Sequence, residues 1–114
     1  MLAVLAAAVT CLSGQIDLPT AKRWAVVAAP PLTVSARRWG SMKRAELDQT
    51  EPDRWMIRVY ATGSCHNRSD VCSNLMGYYW VSKRGVVSDL FTERPARSRE
   101  LSRLQHAHRR TGKC

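Results

Sequence analysis

WMIRVYATGSCHNRSDVCSNLMGYYWVSKRGVVSDL, residues 55–90, is the stretch whose reading decides the fold. It holds two of the four cysteines, two of the four tryptophans and all three tyrosines of a 114-residue chain. Residues 55–60 alternate: Trp55, Ile57 and Val59 fall on one face of an extended chain, and Met56, Arg58 and Tyr60 on the other. Residues 77–82 predict a second strand, with Tyr78 and Trp80 on the opposite face from Tyr79 and Val81. Residues 86–90 predict a third. Lys83, Arg84 and Gly85 lie between these two, with glycine where a tight turn needs positive φ, the signature of a hairpin. A helix is the rival reading, and Gly77, Gly85 and the β-branched content oppose it.

Residues 62–74 are polar, rich in turn formers and contain Cys65 and Cys72, which predicts a surface loop closed by a Cys65–Cys72 disulfide. A bridge across so short a loop contributes about 2–3 kcal/mol in the chain-entropy model. That is substantial for a small domain with a limited core.

Working outward, the length allows one domain. The hydrophobic fraction of 45% and charged fraction of 24% are those of a globular chain. Phe91 is the one phenylalanine, so Trp and Tyr carry the aromatic load. The formal charge of +9 favours an anionic partner: an acidic protein, nucleic acid or a membrane surface. The same charge also serves solubility alone.

Residues 1–13 are apolar and small, too short to span a bilayer and of the length of a signal-peptide core. Cys11 and Ser13 would occupy the −3 and −1 positions of a cut before Gly14, although no Lys or Arg precedes Lys22. A plain N-terminal core helix is the alternative. A third reading makes Cys11 a lipidated cysteine, but Ala8, Val9 and Thr10 match a lipobox poorly. The expected organisation is therefore a signal-like segment, residues 1–13, before one domain, residues 14–114. Removing the leader leaves Cys65, Cys72 and Cys114, an odd number, with Cys114 the unpaired one; keeping it allows Cys11–Cys114.

Residues 15–23 read as a linker because of Pro19, and residues 24–29 as an edge strand or a helical turn ended by Pro30 and Pro31. Residues 32–36 alternate as a further strand would. Residues 41–50 suit a short helix capped by Ser41, with Met42, Ala45 and Leu47 inward. Pro95 suits a helix entry, and residues 97–110 place Leu101, Leu104 and His108 on one side. Residues 92–114 carry seven Lys/Arg against two Glu.

No residue set spells out catalysis. Cys65, His66, Cys72, His106 and His108 are zinc-ligand types without a standard zinc spacing, so no metal and no cofactor is expected. A Cys/His nucleophile pair requires a meeting in space that no motif marks, and Gly-rich phosphate loops and nucleophile elbows are missing. Asn67-Arg68-Ser69 fits a glycosylation sequon, relevant only in a eukaryotic secretory pathway. Arg58, Tyr78, Trp80, Lys83 and Arg84 are the candidate binding residues. Aromatics beside basic side chains on one sheet face suit an acidic protein or, alternatively, stacked bases. Half of a core in a Phe-poor protein accounts for the same aromatics.

The run CSNLMGYYWVSKRGVVSD, residues 72–89, resembles a pattern of small exported bacterial proteins of unknown function. In these, a cysteine-bearing loop precedes a leucine-valine-glycine and aromatic strand, a lysine- and glycine-containing turn and a second strand ending in aspartate. This chain lacks the threonine before the turn glycine, here Gly85. The resemblance implies an envelope location and no activity, and similar strand–turn–strand endings occur in periplasmic inhibitors and immunity proteins.

The resulting expectation is an α+β fold: a small antiparallel β-sheet of three to five strands, a C-terminal helix and one further helix. The expected role is a non-catalytic binding module, periplasmic or secreted, inhibitor- or immunity-like, meeting an acidic partner. A nucleic-acid-binding module is the alternative.

Overall fold

The structure is a computed structural model and describes residues 14–38, 40–64 and 71–111. Their elements run α1 (Leu18–Ala28), α2 (Val34–Arg38), β1 (Met42–Thr50), β2 (Arg54–Ser64), β3 (Val71–Ser82), β4 (Val87–Asp89) and α3 (Arg99–Thr111). The four strands form one antiparallel sheet in the order β1-β2-β3-β4, a meander in which every neighbour in sequence is a neighbour in space. The fold is α+β, with a C-terminal helix.

Alternation along β2 and β3 builds the core as expected. Trp55, Ile57 and Val59 are buried, as are Tyr79 and Val81 across the ladder. Their alternates Met56, Arg58, Tyr60, Tyr78 and Trp80 are not. Helix α1 delivers Ala21, Trp24 and Ala25 to the buried face, and Leu101 of α3 completes it. Leu104 and His108 follow Leu101 on the inward side of α3, half-buried.

Several local expectations are corrected. Residues 41–50 form β1 and not a helix: Lys43, Ala45 and Leu47 point to the covered side, and Met42, Arg44 and Glu46 away from it. The same spacing suits either element; the free edge of β2 supplies the hydrogen bonds that make it a strand. Residues 15–23 are not a linker. The Asp17 carboxylate accepts a bond from the Thr20 N–H at 2.9 Å and starts α1, and Pro19 occupies the first turn, where its missing N–H has no helical partner. Trp24 to Ala28 complete that helix, and Ala29 is its C-cap. Residues 32–36 enter α2, capped by the Thr33 hydroxyl, which accepts from the Ala36 N–H at 3.0 Å. Pro95 bridges to Ser88, and the C-terminal helix begins at Arg99, capped by Ser98. β2 and β3 reach Ser64 and Val71, so the connection between them is shorter than expected. The signal-like segment, Cys65, His66, the sequon and Cys114 lie outside the described residues, as does the proposed bridge.

Two tertiary contacts fix α1 on the sheet. α1 has no basic residue in its last turn. Lys43 of β1 supplies the missing charge, donating to the carbonyls of Val26 at 2.8 Å, Ala29 at 3.1 Å and Pro30 at 3.1 Å. Burial holds its pKa below the usual lysine value, and Glu100 partly offsets this. At the other end of the sheet, Gly85 has φ +93° and lies against Trp24, where any Cβ would stand 2.7 Å from Cζ3.

Candidate binding surface

Helices cover one face of the sheet, and the core contains no residue of the other. On that open face, register sets Glu46 beside Arg58 and Arg58 beside Tyr78, one row across three strands. The next rows pair Tyr60 with Leu75 and Met56 with Trp80. Glu46, Arg58, Tyr60, Leu75 and Tyr78 line a shallow groove of about 330 Å³.

The charges along this groove are largely compensated. The Arg58 guanidinium donates to Glu46 at 2.9 Å and lies 3.6 Å from Asp48. Asp48, followed by burial working against it and then Glu46, holds the Arg58 pKa above its ordinary value. The Arg58 Nε is buried without a hydrogen-bond partner. Arg54 donates to Glu51 at 2.7 Å, and that bond raises its pKa. Its guanidinium also lies 3.6 Å above the centre of the Trp80 ring, a cation–π stack that occupies one face of the indole.

Besides charged residues of β1, Arg44 and Glu46 among them, the face leaves apolar side chains exposed. Leu75 is 59% and Phe91 78% accessible, and Met42 lies at the sheet margin, 63% accessible. The Phe91 ring meets Tyr78 edge-on at 6.2 Å. Phe91 is held there by the turn after β4: the Asp89 carboxylate accepts from the Phe91 N–H at 2.8 Å and the Thr92 N–H at 2.9 Å. The Thr92 and Phe91 amides lower the Asp89 pKa.

The five expected binding residues do not form one surface. Arg58, Tyr78 and Trp80 share the open face. Lys83 and Arg84 sit in the β3–β4 turn and face the helical side. The Lys83 ammonium lies 5.6 Å from the core-facing Trp55 ring, and its backbone bonds to Asp53 and Ile16. Arg84 lines a separate cleft with Trp24, Gln105 and Arg109. Sequence reasoning missed Glu46 and Asp48, because a helical reading of residues 41–50 placed neither opposite Arg58. Tyr60 was within reach of the alternation that placed Arg58. Leu75 fell between the expected loop, residues 62–74, and the strand expected from residue 77, and was assigned to neither.

Among the described residues no group of His, Cys, Asp or Glu could hold a metal ion, and no helix is long and apolar enough to cross a membrane. No family model matches the chain, and neither a curated protein nor a solved structure matches it.

Proposed function

We propose that the protein is a non-catalytic binding module, exported to the periplasm or the medium, that holds an acidic protein partner as an inhibitor or immunity protein does. The observation that carries this reading is the exposed pair Leu75 and Phe91, with half-buried Tyr78 between them, beside a groove whose arginine is already fixed by two carboxylates. Aromatic anchors on a rigid sheet, rimmed by paired charge, suit a protein interface. The +9 charge then acts at long range, raising the encounter rate with an acidic partner at low salt. Stacked bases fit the same face less well. Arg54 already covers one side of Trp80, and Glu46 and Asp48 would repel a phosphate next to Arg58.

The test is capture from the host's own envelope fraction by the immobilised protein, alongside Leu75→Asp and Phe91→Asp. A partner retained by the parent chain and lost by both variants supports this face. Equal retention by all three rejects it. Salt-dependent binding of single-stranded RNA that falls with Trp80→Ala would replace the protein partner with nucleic acid.

A further inference from the structure

On the helical side, away from the groove, α1, the β3–β4 turn and α3 enclose a cleft of about 250 Å³. Its walls are set by contacts already in place. Trp24, 4% exposed, abuts Gly85 so closely that no side chain fits between them. Gln105 donates from Nε2 to the Gly85 carbonyl at 2.8 Å and ties the turn to α3. The His108 ring stands edge-on to Trp24 at 5.6 Å, with its Nε2 3.1 Å from the Gly14 carbonyl oxygen. Each arginine of the lining neighbours one of these anchored residues: Arg84 precedes Gly85, and Arg109 follows His108.

Neither Arg84 nor Arg109 makes an ion pair among the described residues, in contrast to Arg54 and Arg58. Among the described residues no Asp or Glu lines the cleft. Val86, Val87, Pro95 and Ala96 supply an apolar wall. Two guanidinium groups sharing one cleft repel each other, and an anion between them removes that cost. Their planar forks match a carboxylate bidentately. The apolar wall adds a requirement that a small hydrated anion does not meet, since an occupant gains from it only by burying hydrocarbon.

We propose that this cleft is a binding site for an organic carboxylate with an apolar body. The carboxylate is clamped by Arg84 and Arg109, and the body lies against Val86, Pro95 and Ala96. The site is independent of the open face and of any partner docked there.

The experiment is an NMR-monitored titration of the full chain with benzoate, with benzamide (the same body without charge) and with inorganic phosphate (charge without the body). Benzoate is expected to shift the Gly85 backbone and Gln105 side-chain amides, leave Leu75 unmoved, and bind at least about tenfold more tightly than either control. Arg84→Gln and Arg109→Gln are each expected to weaken benzoate about tenfold or more, the loss of one charge-assisted pair. Both side chains are exposed, so the variants keep the fold, which near-UV circular dichroism verifies. Phosphate or benzamide binding as tightly as benzoate overturns the proposed ligand class. Unchanged benzoate affinity in the double variant, or shifts centred on Leu75, overturns the cleft.

Discussion

Lys43 and Val26, 17 residues apart, are joined by a 2.8 Å hydrogen bond from the ammonium of one to the carbonyl of the other. A strand residue thereby closes the C-terminus of a helix that carries no basic residue in its own last turn. Lys43→Met keeps the length of the side chain and removes the donors. It is expected to cost about 1–3 kcal/mol by leaving the carbonyls of Val26 and Ala29 without this partner. Urea unfolding measures it, and faster amide exchange in the last turn of α1 locates the damage. A loss spread evenly over the sheet would contradict the cap.

Gly85→Ala tests the opposite end of the sheet. Alanine there meets two penalties, a φ of +93° and a Cβ 2.7 Å from Trp24 Cζ3. Together they are expected to cost about 2–5 kcal/mol. Trp24 must move to make room, which near-UV circular dichroism detects. A variant as stable as the parent would mean that the turn and Trp24 are not packed as described.

Leu101 is 1% exposed and brings α3 into the core. Leu101→Ala is expected to destabilise by about 2–5 kcal/mol. The neighbouring Arg103→Ala, on the solvent side of the same helix, should change stability by less than about 0.5 kcal/mol. Chemical denaturation of both variants separates docking of α3 from its helical propensity. Equal effects would detach α3 from the core.

Acid should release the turn that presents Phe91. The folded pKa of Asp89 lies below its ordinary value of 3.8 because the Thr92 and Phe91 amides bind the carboxylate. As pH falls, the unfolded chain takes up the proton first. The stabilisation is therefore complete above the unfolded value and is lost as pH falls through the lower folded one. The stability difference between the parent and Asp89→Asn should be constant above about pH 5 and shrink below pH 4. Denaturation series at several pH values read this directly. A difference that grows on acidification would reverse the sign and refute the role of Asp89.

The proposed Cys65–Cys72 bridge makes a prediction through register alone. Cys72 pairs with Gly63, two residues before Cys65 in the chain. Closing the β2–β3 connection there would keep the two long strands together. Replacing both cysteines by serine is expected to cost about 2–3 kcal/mol or less and to leave the sheet intact. Thiol titration of the protein prepared without reductant should find both cysteines blocked; two free thiols at these positions would sink the bridge.

The sequence by itself determined the β2–β3–β4 meander and its inward residues. Alternation in residues 55–60 and 77–82 is a property of the extended chain, so Ile57 and Val59 could be set opposite Arg58, and Tyr79 and Val81 opposite Tyr78 and Trp80, within each strand and without a partner. Gly85 likewise marked its own turn. Only the tertiary structure decided what residues 15–50 become. Asp17 caps a helix that Pro19 seemed to forbid, and β1 is a strand because β2 offers it an edge. It also decided how the binding residues divide. Arg58 meets Glu46 and Asp48 across a strand pair, while Arg84 of the β3–β4 turn and Arg109 of α3 line one cleft. Charge in a sequence is only a sum. Whether an arginine is spent on a carboxylate or left open to a ligand depends on which distant residues the packing brings beside it.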